Sequence, residues 1–352
     1  MLLNGLFPPI TTPFYPDGNV YFKKLEHNVE RYSRTPIQGL VVLGSTGEAI
    51  LLSDQERRDV FKAAREAAAP EKVLIAGTGI ESAIETLRLT EYAATLGYDV
   101  AMVRTPHYYK RQMKPLNVAT FYRSVADRSP LPVVIYNFPQ ATGYDMPVEV
   151  VRELADHPNI IAIKESCGVL EKVKAEIAET GKSRVKRAVS VTETQQAVTG
   201  RMLAAPAAAP QGGEVVPASA LGGAAAAVAA PPALKTRSKE VGFQVLVGSA
   251  QTLEDSLELG AVGAILAFAC PAPTICFEIY CAWKEGDIAL AKDKQKRIVE
   301  AAQKVVGEFG VPGVKYAMDL NGYYGGPPRL PLLPPTAEIK AEIERLMADI
   351  RN

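Results

Sequence analysis

Short apolar runs recur along this chain at a spacing that few folds can absorb. Candidate strands lie at Phe7–Thr11, Gly39–Leu43, Lys72–Ala76, Asp99–Val103, Pro132–Tyr136, Ile160–Lys164, Phe243–Val247 and Gly263–Ala267. Most are followed by a helical pattern, and most strand starts are roughly 27–34 residues apart, the length of one strand–helix unit. Strands that alternate with helices build a parallel sheet, because each parallel return needs a long crossover. Eight such units predict an α/β fold of the (β/α)8 barrel type rather than an open doubly wound sheet. No Gly-x-Gly-x-x-Gly follows the first strand, which argues against a dinucleotide-binding sheet.

Helix punctuation supports the alternation. Ser53-Asp54-Gln55-Glu56 is a capping box that opens a helix running to about Ala69. Ser82-Ala83-Ile84-Glu85 opens another, which stops at Gly97, and Pro147 starts the helix Val148–Asp156. One interval breaks the rhythm: about 80 residues separate the sixth strand from the seventh. Within it lies Met202–Leu234, almost entirely Ala, Pro, Gly and Val, which has little with which to build a core. It is expected to be a flexible insertion on the side of the barrel opposite the strands' C-terminal ends. After the eighth strand, Pro273–Lys284, Ile288–Phe309 and Thr336–Ile350 read as helices. The expected organisation is a barrel over residues 1–272, interrupted at about 202–234, and a C-terminal helical extension over 273–352.

The composition excludes several roles. Lys+Arg and Asp+Glu number 39 each, so net charge draws the chain neither to nucleic acid nor to an acidic membrane. No apolar run is long enough to span a bilayer, and the first residues carry no basic stretch or cleavage pattern of an export signal. Cys167, Cys270, Cys276 and Cys281 form no Cys-x-x-Cys pair, so a reducing, cytoplasmic setting is expected.

The chemistry is read from strand ends, which line the active site of a barrel. The sixth strand, Ile160-Ile161-Ala162-Ile163, ends in Lys164. Lysine is rarely buried, because taking its charge out of water is costly. A lysine in a dry pocket is driven toward its neutral amine, which attacks carbonyl carbon to form a Schiff base. The fifth strand ends in Tyr136-Asn137-Phe138-Pro139, one strand–helix unit earlier, so Tyr136 and Lys164 fall on adjacent strands at one height. A phenol beside an amine can shuttle the protons that imine formation and carbon–carbon cleavage require. The second strand ends in Gly44-Ser45-Thr46-Gly47-Glu48, where free N–H groups and hydroxyls suit a carboxylate or phosphate. The fourth ends in Thr105-Pro106-His107-Tyr108-Tyr109. Singly, each has a plainer reading: a snorkelling lysine, a rim tyrosine, a glycine-rich turn. His27, His107 and His157 show no ligand spacing and no Gly-x-Ser-x-Gly elbow is present, so neither a metal site, a cofactor nor a serine triad is expected.

Together, Gly44-Ser45-Thr46-Gly47-Glu48, Tyr136-Asn137-Phe138-Pro139 and Ile163-Lys164-Glu165-Ser166 resemble the dihydrodipicolinate synthase / N-acetylneuraminate lyase family. That resemblance covers the chain apart from the insertion. It implies a (β/α)8 barrel, a class I aldolase acting on pyruvate or on 2-keto acids that release it, and a homotetramer. It further implies that Lys164 is the Schiff-base lysine and Tyr136 the proton relay, and that Ser45 and Thr46, beside Gly47, hold the keto-acid carboxylate. Tyr108, with Tyr109 the adjacent alternative, matches the tyrosine that reaches into a neighbouring subunit's site. Where the synthases of the family carry an arginine for the aldehyde's carboxylate, this chain has Ala141. Phe309–Lys315, Tyr323-Tyr324-Gly325-Gly326-Pro327 and Gly248-Ser249-Ala250 look most like 4-hydroxy-2-oxoglutarate aldolases, which places Ser249 among the expected substrate-binding residues. The expected reaction is cleavage of 4-hydroxy-2-oxoglutarate to pyruvate and glyoxylate. The alternatives are 4-hydroxy-tetrahydrodipicolinate synthesis, cleavage or dehydration of a sugar-derived 2-keto acid, and a barrel that binds a keto acid without turnover.

Overall fold

The computed structural model describes residues 1–192 and 236–350. In chain order its strands are β1 (Gly5–Leu6), β2 (Gly39–Val42), β3 (Val73–Gly77), β4 (Val100–Arg104), β5 (Val133–Asn137), β6 (Ile160–Glu165), β7 (Arg187–Thr192), β8 (Thr236–Val241), β9 (Gln244–Val247) and β10 (Gly263–Ala264). All but β7 and β8 form one sheet of parallel pairs in the order β1-β10-β9-β6-β5-β4-β3-β2. A parallel bridge between Pro9 and Val41 brings the end strands together, so the sheet curls into a (β/α)8 barrel. Amphipathic helices such as Asp54–Ala67 and Leu170–Thr180 cover its outside.

Strand alternation divides the apolar residues into two layers. Val134, Tyr136, Ile161, Ala162, Leu246 and Met102 pack inside the barrel with Phe7 and Ile75. Val133, Ile135 and Ile163 face the helix layer. A register shift at Val133/Val134 lets β6 take in one extra residue, after which Tyr136 stands opposite Lys164 and Asn137 opposite Glu165. The inner face of this strand pair thus ends in Tyr136 and Lys164, and the outer face in Asn137 and Glu165.

Several boundaries differ from the sequence reading. The first strand is only Gly5–Leu6, because Pro8 and Pro9 have no N–H for a ladder, and the eighth stops at Ala264 before a turn at Ala267–Ala269. The Ser53/Glu56 capping box is present, with Ser53 N donating to Glu56 Oε2 at 2.8 Å and Glu56 N to Ser53 Oγ at 3.2 Å. Ser82 precedes the helix Ala83–Thr95 but makes no capping bond. Strands β7 and β8 form an antiparallel pair that the sequence reading did not separate from the long interval. Arg187 anchors it by donating to the carbonyls of His157, Pro158 and Ile160, at the entrance to β6 and away from Lys164. The Met202–Leu234 segment lies outside the described residues. In the C-terminal extension, Ile288–Ala302 gives way to a π turn at Gln303–Glu308, and a helix at Gly310–Leu320 follows.

Candidate active site

Lys164 and Tyr136 meet at the C-terminal end of the barrel. Both are buried, at 4% and 5% exposure, and Lys164 Nζ lies 3.9 Å from the centroid of the Tyr136 ring. The Tyr136 hydroxyl shares a hydrogen bond of 3.3 Å with Ser45 Oγ, and its ring stacks on Phe138 with centroids 5.9 Å apart. These groups open into a cavity of about 430 Å³ whose lining includes Ser45, Thr46, Tyr136, Lys164, Ser166 and Ser249. That size accommodates a small organic acid.

The loop after β2 makes a tight turn at the edge of the cavity. Leu43 and Glu48 both take left-handed backbone conformations, with φ of 62° and 54°. Each costs a non-glycine residue on the order of 1 kcal/mol, so the surroundings must hold the turn. Glycine at position 77 is part of that support, since a Cβ there would lie 2.2 Å from the Leu43 carbonyl oxygen. Inside the loop, Gly47 N donates to Gly44 O and Glu48 N to Ser45 O, each at 3.0 Å, and Thr12 Oγ1 donates to Gly47 O at 2.7 Å. The N–H groups of Ser45 and Thr46 have no acceptor among the described residues, and both residues border the cavity. Gly47 serves the turn itself and does not border the cavity.

Behind Lys164 the outward side chains form a buried polar knot. Asn137 Nδ2 donates to Glu165 Oε1 and Oε2 at 3.0 and 2.8 Å and to Asp145 Oδ1 at 2.9 Å. Cys167 N donates to Glu165 Oε1 at 2.7 Å, Lys172 Nζ lies 3.3 Å from Glu165 Oε2, and Lys172 also pairs with Asp145. Glu176, wholly buried, faces this knot from the helix Leu170–Thr180. Burial, with the Glu165 carboxylate next to it, pushes the Glu176 carboxyl up to about 10. Burial and Glu165 likewise raise the Cys167 thiol to about 12, which keeps this cavity-lining sulfur protonated and unreactive.

The structure brings together Lys164, Tyr136, Ser45, Thr46 and Ser249. Tyr108 stands apart, on the loop after β4, 76% exposed and edge-on to Tyr109 with ring centroids 5.2 Å apart. That loop is pinned by Glu81, whose Oε2 accepts the N–H groups of His107 and Tyr108 at 2.9 and 3.0 Å, and whose Oε1 pairs with Arg104 at 3.1 Å. Sequence reasoning missed the far wall. The π turn and the helix after it contribute Val306, Gly307, Gly310, Val311 and Val314 to the cavity. Their only signal was the Phe309–Lys315 motif, which locates no wall by itself. Ser166 was also missed as a lining residue; its Oγ is buried without a partner, and Gly248 must be glycine because a Cβ there would lie 1.9 Å from that oxygen.

An amine and a phenol side by side at the mouth of a barrel, over a turn with unengaged N–H groups, form a layout suited to carbonyl chemistry through an imine. It is the layout of a Schiff-base lyase. Sequence comparison agrees: the chain belongs to the dihydrodipicolinate synthetase family, which it matches over residues 2–186 and 228–350, and it is a carbon–carbon lyase of the class I, pyruvate-dependent kind. It is 29% identical over 351 residues to a 4-hydroxy-tetrahydrodipicolinate synthase of Methanothrix thermoacetophila, covering 100% of this chain and 98% of that one. A synthase of the same name from Xanthomonas axonopodis pv. citri is 40% identical over 178 residues, 51% of this chain and 58% of the relative. Among solved structures, a prophage protein of the dihydrodipicolinic acid synthase family from E. coli K12, in complex with pyruvate, superposes with a TM-score of 0.78 at 25% identity, covering 99% of each chain.

Proposed function

We propose that this enzyme cleaves 4-hydroxy-2-oxoglutarate reversibly to pyruvate and glyoxylate through an imine on Lys164. The Lys164 amine adds to the C2 carbonyl and water leaves. The imine then accepts the electron pair of the C3–C4 bond as the 4-hydroxyl gives up its proton, which releases glyoxylate and leaves an enamine. Protonation at C3 and hydrolysis return pyruvate and the lysine. Tyr136, between Lys164 and Ser45, is positioned to carry those protons. The N–H groups of Ser45 and Thr46 receive the C1 carboxylate.

The choice of aldehyde rests on one observation. Lys164 is the only Lys or Arg among the described residues that line the cavity, and Ala141 stands on the short helix Pro139–Thr142 where the family's synthases carry their arginine. Neutral donors, Ser166, Ser249 and Gln140, are left for a second carboxylate, which favours the small glyoxylate unit over aspartate semialdehyde. The second reading, 4-hydroxy-tetrahydrodipicolinate synthesis, is favoured by the names of the relatives, which share the imine step and differ in the acceptor. Kinetics with 4-hydroxy-2-oxoglutarate, 2-keto-3-deoxygluconate, N-acetylneuraminate and pyruvate plus aspartate semialdehyde decide between them. The highest kcat/KM is expected for the first. A lead for aspartate semialdehyde establishes the synthase reading instead.

A homotetramer belongs to the same proposal. Tyr108, Tyr109, Ile50, Ile84 and Leu116 are large, apolar and exposed on loops and helix starts that follow β2, β3 and β4. Association through this face would cover them and bring Tyr108 to a neighbouring site. The free cysteines are consistent with a reducing compartment.

A further inference from the structure

We infer that Lys315, on the C-terminal helix Gly310–Leu320, is a positioning residue that aims the carboxylate-binding loop by neutralising Glu48. This rests on the reading of Ser45 and Thr46 as the keto-acid cradle and assigns the C-terminal extension a part in it.

Glu48 closes that loop, in a left-handed conformation that its own backbone does not favour. Its carboxylate is fixed at both oxygens. Lys315 Nζ lies 2.5 Å from Oε1, and Arg329 N donates to Oε2 at 2.8 Å. Both side chains of the ion pair are 1% exposed. The remaining donors of Lys315 are also placed: Nζ donates to Pro327 O at 3.0 Å and lies 4.4 Å from the centroid of the Phe14 ring. Arg329 caps the other contacts of this knot, pairing with Glu56 at 2.6 Å and donating to Leu51 O at 2.9 Å. Burial lowers the pKa of Lys315, and the adjacent Glu48 works against that fall.

A buried carboxylate without its cation is an uncompensated charge, and the backbone that bears it shifts to reach water or a proton. The backbone in question is the residue after Gly47, whose carbonyl Thr12 holds from the other side. Loosening Glu48 therefore releases the Ser45 and Thr46 N–H groups from their aim into the cavity, while Lys164 and Tyr136, on β6 and β5, keep their own support.

The experiment measures borohydride trapping of pyruvate on the full-length enzyme as a function of pyruvate concentration. Lys315→Met is expected to raise the half-saturating pyruvate concentration about tenfold or more. At saturation the adduct on Lys164 should still form in full, and Lys315→Arg should restore most of the lost affinity. A purely structural lysine would lower the melting temperature without moving half-saturation in the folded fraction. If Lys315→Met does not fold, Lys315→Gln, which removes the cation but keeps a polar group beside the Glu48 carboxylate, is read in the same way. Unchanged half-saturation in whichever of these variants folds overturns the role of Lys315. Absence of any adduct in the unaltered enzyme overturns instead the Lys164 reading on which it rests.

Discussion

Glu176 should make the protein less stable as pH rises, and Glu176→Gln should remove that slope. The side chain is fully buried and no donor among the described residues reaches either of its carboxyl oxygens. The groups that face it are Glu165, Lys172 and Asp145, and their balance, led by burial, favours the protonated acid. Protonated, Glu176 donates to Glu165 and helps fix the carboxylate that holds Asn137 and the Cys167 N–H. An ordinary glutamate titrates near 4.5, and this one in the folded state near 10. The folded chain therefore binds one more proton than the unfolded chain between those values. This contribution to stability is complete below about pH 4.5, declines steadily as pH rises, and levels off above about 10. With the folded-state group titrating above neutrality, holding that proton at pH 7 costs about 3 kcal/mol. Glutamine offers Glu165 a similar donor and has no proton to hold. Thermal unfolding of both proteins from pH 5.5 to 9.5 tests this: the variant should melt higher above neutrality, by a gap that widens with pH. Superimposable pH profiles would show that Glu176 is ionised in the folded protein and refute the argument.

Three further outcomes follow from the site. Tyr136→Phe keeps the stacked ring but removes the hydroxyl, so kcat should fall by about 10²–10⁴-fold while borohydride still traps pyruvate slowly on Lys164, as rapid-quench kinetics and peptide mapping would show. Ala141→Arg should raise kcat/KM for aspartate semialdehyde about tenfold to a hundredfold through a charge-assisted contact; no gain in steady-state assays would mean that residue 141 does not face the aldehyde. Replacing Met202–Leu234 with a short Gly/Ser linker should leave steady-state rates unchanged, and a large loss with oligomeric state intact would tie that segment to the site.

The chain's own pattern determined the parts of this protein that local physics controls. The repeat of strand and helix signals dictated the barrel, since side-chain period and chain length between strands allow little else. The same repeat put Tyr136 beside Lys164, because one strand–helix unit carries a residue to equal height on the next strand. The capping box at Ser53 and Glu56 was legible for the same reason: its partners are three residues apart. What the sequence left open depended on contacts between distant segments. The wall at Val306–Val314, the Glu48–Lys315 pair and the carboxyl cluster around Glu165 join residues that no local pattern connects. The antiparallel β7–β8 pair was hidden likewise, because its strands lie within the long interval, more than forty residues apart in sequence, and meet only through pairing across that separation. Periodicity says which face of an element is apolar; only the folded chain says which buried charges meet, and in a medium that penalises unpaired charge those meetings set the geometry around Lys164.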